Sequence, residues 1–116
     1  MQKSKDNRSP TTSQEFIFVR SGNHLEKLFP EKILWIELIG RKIIICTLDK
    51  NYLINGSMKR LMRKLPDNKF IRVHPSFIVP VEKIDVIKKD AITIEEKQIP
   101  LSKPRKKELL SKINMV

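Results

Sequence analysis

From Glu15 onward the chain is a succession of short apolar runs separated by turn-forming residues. Phe16-Ile17-Phe18-Val19 reads as a strand ended by Ser21-Gly22-Asn23, with residues 25–28 as its return and Phe29-Pro30 closing the pair. Residues 33–38 are rich in β-formers and break at Gly40-Arg41-Lys42. Residues 43–48 form the strongest strand, because their branched side chains suit a pleated surface. Asp49-Lys50-Asn51 then turns the chain into residues 52–54, which predicts a hairpin. At Asn55-Gly56 the hydrophobic period changes. Met58, Leu61, Met62 and Leu65 share one helical face, Ser57 suits an N-cap, and Pro66 stops the helix. Strands resume at 70–73, 77–79, 85–88, 91–94 and 98–101, with turns at Lys89-Asp90 and Glu95-Glu96-Lys97. A second helix begins near Lys103-Pro104, where proline is tolerated, with Ser102 as a possible cap and Leu109, Leu110 and Ile113 turned inward.

The pattern predicts a mostly β (α+β) domain of about nine short strands, one small internal helix and a C-terminal helix. Residues 1–14 have no periodicity and are read as a disordered polar leader, leaving 15–116 as the folded domain.

Length and composition narrow the function. A chain of 116 residues, 40% of them apolar, holds one compact core and no deep cleft between lobes. The longest apolar run is Ile43-Ile44-Ile45-Cys46, far short of the roughly 20 residues a bilayer span needs. The polar start lacks the centre of a signal peptide, and the single Cys46 can build neither an internal disulfide nor a metal site. These features predict a cytoplasmic protein with no membrane partner. The net charge of +11 directs attention to a polyanion, and it is unevenly spread. Lys59, Arg60, Arg63, Lys64, Lys69 and Arg72 face only Asp67 in one block, and Lys103, Arg105, Lys106, Lys107 and Lys112 face only Glu108 in another. Both blocks could equally be solvated helix faces.

No constellation for catalysis is present in the sequence. Gly22, Gly40 and Gly56 are too far apart for a phosphate loop, and His24 and His74 lack the spacing of a zinc site. Cys46 lies in the most apolar strand, where a thiol acts as a small hydrophobe. Glu95 and Glu96, adjacent in a turn, point apart into water. No catalytic residue, metal, cofactor or small-molecule substrate is expected. Zinc-finger, KH and RNP patterns are missing as well, and a helix-turn-helix needs two adjacent helices. What is left is a β-rich domain that reads DNA from loops or strand ends.

One stretch is more specific. Ser57-Met58-Lys59-Arg60-Leu61-Met62-Arg63-Lys64-Leu65-Pro66, followed by Phe70-Ile71-Arg72-Val73-His74-Pro75-Ser76-Phe77-Ile78-Val79, resembles the LytTR DNA-binding domain of bacterial response regulators, with its short helix ending in LP and its F-x-R-x-H-x-S strand. Ile33-Leu34-Trp35-Ile36-Glu37 and Ile99-Pro100-Leu101-Ser102-Lys103 are similar to flanking elements of that family. The resemblance implies an elongated arrangement of short β-sheets and a transcription regulator that inserts loops into the major groove of promoter DNA, with double-stranded DNA as partner and a homodimer on direct or inverted repeats as one arrangement. The corresponding loops are Gly40-Arg41-Lys42, His74-Pro75-Ser76 and Ser102-Lys103-Pro104-Arg105. They make Arg41, Lys42, His74, Ser76, Ser102, Lys103 and Arg105 the candidate DNA-binding residues, with Lys69 and Arg72 as additional phosphate contacts. Cations in such turns can reach phosphates or guanine edges.

Three residues depart from the family pattern. Pro75 stands where a polar or basic residue is usual, Pro80 where asparagine is, and Pro104 interrupts a polar run. His74 can touch DNA or tie its loop to a backbone carbonyl, and Arg72 can bind phosphate or pair with an acidic neighbour. A protein-interaction or non-specific polyanion-binding module that keeps the fold without base readout is the alternative that Pro75 and Pro104 favour.

Overall fold

The computed structural model describes residues 15–116; the expected leader at 1–14 lies outside the described residues. Among the described residues ten strands form three antiparallel sheets, one for each of the ten segments in the pattern, where the expected total was about nine. β1 (Ile17–Ser21) and β2 (His24–Leu28) make a hairpin. β3 (Ile33–Ile39), β4 (Lys42–Thr47), β5 (Asn51–Asn55), β6 (Phe70–His74) and β7 (Phe77–Pro80) make the central sheet in the order β5-β4-β3-β7-β6. β8 (Val86–Ile87), β9 (Ala91–Ile94) and β10 (Lys97–Pro100) complete the third. The helices are α1 (Met58–Lys64) and α2 (Lys103–Ser111). None of the described helices is long and apolar enough to cross a membrane.

The central sheet separates two hydrophobic cores, as the two-residue period of a strand allows. Phe70, Ile78, Ile36, Ile43 and Ile45 face one core, closed by Met58, Leu61 and Leu65 around α1 and by Val19 and Leu28 of the hairpin. Ile71, Val73, Phe77 and Val79 face the other, with Ile92, Ile94 and Ile99 of the third sheet and Leu109 of α2. The Met/Leu face of α1 is buried as its spacing predicts, with Met62 only partly covered. The Ser57 side chain caps it, accepting from the Arg60 amide at 3.0 Å. In the second helix Leu109 is buried, Leu110 is half-buried, and Ile113 packs on the core just beyond the helix.

Strand ends differ from the sequence pattern because the hairpin turns are tighter than the polar clusters suggest. Lys42, Asn51 and Lys97 all belong to strands. Thr47 closes the β4–β5 turn, donating to the Lys50 carbonyl at 2.6 Å and accepting from the Asp49 and Lys50 amides. β8 is only two residues long, although Asp85 and Lys88 on either side donate their amides to Thr93 and Ala91. Glu26 accepts from Lys50 and from His24, each at 2.9 Å, which ties the first hairpin to the β4–β5 turn. Those two bonds, Lys50 first, hold its carboxyl below the ordinary carboxylate range.

The β9–β10 turn is unusual. Ile94 pairs with Lys97, so Glu95 and Glu96 alone make the connection, at φ of 49° and 70°. Two-residue hairpins of this hand favour Asn-Gly, since a Cβ is disfavoured at positive φ. Replacing the pair by Glu95→Asn with Glu96→Gly should raise unfolding free energy by about 1 kcal/mol in denaturant titrations; an unchanged or lower midpoint would mean the turn carries no such strain. Phe70→Ala, which opens the first core, should cost about 2–5 kcal/mol in the same measurement.

Candidate nucleic-acid interface

Arg41 sits at the tip of a turn with only two central residues, because Ile39 pairs directly with Lys42. Gly40 takes the first of these positions at φ +61°, where a type II′ hairpin favours glycine. Lys42, expected in the loop, is the first residue of β4. Its Nζ donates to Asn55 Oδ1 at 2.9 Å across the β4–β5 pair.

The β6–β7 turn is held by its own polar groups. The Ser76 amide donates to His74 Nδ1 at 3.0 Å, and the His74 ring meets Phe77 edge-to-face at 6.0 Å. His74 thus accepts from an amide, where a bond to a carbonyl was one of the two expectations. The bond assigns the proton to Nε2 and leaves that N–H as the free donor of the ring. Arg72 takes neither a carboxylate nor a position free of the protein: Nε and Nη2 donate to the Pro75 carbonyl at 3.3 and 2.6 Å. Pro75 has no amide to offer, so its carbonyl is the polar group the turn presents to Arg72.

The third segment joins β10 to α2. Ser102 occupies the N-cap position, yet its hydroxyl makes no capping bond; its carbonyl accepts from the Arg105 and Lys106 amides, each at 3.1 Å. Lys103 is exposed. Arg105 is half-buried and leans on Glu108 at 3.4 Å, an ion pair too exposed to hold it firmly.

Two backbone bonds tie the β3–β4 turn and the start of α2 to the β6–β7 turn. The Leu38 amide, just before the Gly40-Arg41 turn, donates to the Ser76 carbonyl at 2.8 Å. The Ser102 amide donates to the Val73 carbonyl at 2.9 Å. Val73 is free to accept because the β6–β7 register shifts there, Arg72 opposing Ile78 and His74 opposing Phe77. Lys69 lies elsewhere, preceding β6 and separated from His74 by about 16 Å of extended chain. It lines a separate depression with Glu31 and Lys83. Among the described residues no group of His, Cys, Asp and Glu could hold a metal. Burial pushes the Cys46 thiol up, with Glu37 adding to the effect, so it is no ready nucleophile.

One residue was missed by the sequence reading. Lys59, in the first turn of α1, lines a notch shared with Arg41 and Arg72 and floored by Leu38 and Met58. Its signal was its place just after the Gly56-Ser57 entry to the helix, where the basic face begins.

Residues 23–114 match the LytTr DNA-binding domain family. This chain belongs to that family. The sensory transduction proteins LytT of Bacillus cereus and Bacillus anthracis are each 31% identical to it over 85 residues, covering 68% of this chain and 35% of theirs. The matched stretch thus spans about a third of those relatives. The solved LytTr DNA-binding domain of a Bacillus cereus response regulator superposes with a TM-score of 0.72 at 19% identity, covering 85% of this chain and 96% of that one, which shows the shared fold.

In this LytTr chain the notch gathers three cations from three separate elements. If it holds phosphate, Arg41→Ala with Lys59→Ala should reduce the slope of log affinity against log salt by about one per lost contact, on any duplex. An unchanged slope would remove the notch from the interface.

Proposed function

We propose that this LytTr chain binds double-stranded DNA through the end where its three segments meet and acts as a sequence-specific transcription regulator. The observation that supports this is the pair of backbone bonds, Leu38 to Ser76 and Ser102 to Val73, which sets the Gly40-Arg41 turn and the start of α2 beside the β6–β7 turn. Arg41 and Lys59 supply exposed cations for phosphates, Arg72 stiffens the middle turn, and Lys103 flanks it from the start of α2. His74 Nε2–H and the Ser76 hydroxyl are the donors available for a base edge beside Pro75. Arg105, half-buried beside Glu108, stays available to a phosphate because that ion pair is exposed.

Pro75 supports the second reading, a module that grips DNA without reading it, because the residue at the centre of the middle turn has no side-chain donor. In-vitro selection with the purified chain, followed by titration of selected and scrambled duplexes at one salt concentration, separates the two. A specific regulator should prefer the selected duplex by about 10³-fold or more; a ratio near one overturns the proposal. Pro75→Arg should tighten binding to selected DNA by about 1–3 kcal/mol if the new guanidinium reaches a guanine, and by less on scrambled DNA. Equal tightening on both would show only an added charge.

A further inference from the structure

On the other side of the Gly56-Ser57 connection lies a groove of different character. β1 forms one wall, contributing Ile17, Phe18, Val19 and Arg20 in succession. Ile17 and Val19 turn towards the core, while Phe18 and Arg20 turn outward. A groove lined by residues of both faces runs along the edge of the strand. β1 bonds to β2 in a sheet of only two strands, so this is its second edge, with backbone groups unpaired among the described residues. The opposite wall is α1, through Arg60, Leu61 and Lys64, and the narrow apolar floor is the accessible edge of Ile54 above the buried Ile43. A second hollow continues it past Ile17 and Lys64 towards Phe16, Arg63 and Pro66, where Glu15 and Asp67 bring carboxylates and end the purely basic stretch.

The charge of the groove is one-sided. Arg20, Arg60 and Lys64 rim its main part, and no carboxylate lines it. Phe18, 55% exposed, adds an aromatic surface on the same wall. We propose that the free edge of β1 receives an extended acidic segment of a partner protein, which adds a third strand to the hairpin. Its alternate apolar side chains would rest on Ile54 and Leu61, and its carboxylates would meet Arg20, Arg60 and Lys64. A hairpin of two strands is marginal by itself, so a third strand gains backbone bonds where the fold leaves them open. The chain's own first residues do not match this groove in charge, carrying Lys3, Lys5 and Arg8 against Asp6. A DNA backbone would match the cations but has no use for an apolar floor along a strand edge.

The test is fluorescence anisotropy on the full chain, with a short labelled peptide alternating glutamate with valine and phenylalanine. Arg60→Glu with Lys64→Glu, both on the exposed face of α1, should weaken peptide binding by about tenfold or more and leave affinity for a selected duplex within about threefold. The same peptide methylated at alternate backbone nitrogens should bind the unaltered chain about tenfold more weakly, because the strand bonds are lost while charge and apolar side chains remain. Three results would overturn the proposal: no peptide binding, equal binding of the methylated peptide or of polyglutamate, or a loss of duplex affinity as large as the loss of peptide affinity. The last would make the groove part of the DNA track.

Discussion

Burial of β6 and β7 on both faces is the constraint from which the rest of the molecule follows. All four residues of β7 are buried, and along β6 only Arg72 and His74 keep partial access to solvent. Because Phe70 and Ile78 face one core while Ile71, Val73, Phe77 and Val79 face the other, these strands serve both at once. A slip of one residue would carry Arg72 into an apolar position, where an unpaired charge costs several kcal/mol, of order 3–5. The register is therefore pinned, and with it the position of the turn between the two strands. The β3–β4 turn and the start of α2 are referenced to that turn by single backbone bonds, so the surface they share is set by the core.

Much of this was legible in the chain. The β-branched run at 43–45 and the i, i+3, i+4, i+7 spacing from Met58 to Leu65 have no competing interpretation, and both elements are where the pattern put them. The order of elements and the family were also readable, because the LP and F-x-R-x-H-x-S spacings are local. The roles of individual polar residues were not. That Lys42 belongs to a strand depends on pairing with Ile39 and Asn55, which lie in different elements. In the sequence Arg72 reads as a phosphate contact or the partner of an acidic side chain; its acceptor is a carbonyl, and carbonyls are invisible in a sequence of side chains. Lys59 looked like one cation among several on a helix face until the fold set it beside Arg41 and Arg72.

The positive charge is thereby divided between two surfaces with different floors. The notch at Arg41, Lys59 and Arg72 lies beside the tied loops, whereas Arg20, Arg60 and Lys64 border apolar ground along a strand edge. Gly56 and Ser57 line both, so one short connection is the boundary between them. A net charge of +11 attracts any polyanion from a distance, and what each surface retains is decided at short range by shape and apolar contact.

The two-residue β3–β4 turn has a consequence for how such a domain diversifies. Its reach is fixed by the pairing of Ile39 with Lys42, and one inserted residue must either bulge or rotate β4 so that Ile43 and Ile45 leave the core. A longer tip thus needs a bulge to keep β4 in register, while the side chain at position 41 stands in solvent. Descendants of this chain can change what the tip presents by substitution at that one exposed position, and the frame that aims it stays the same.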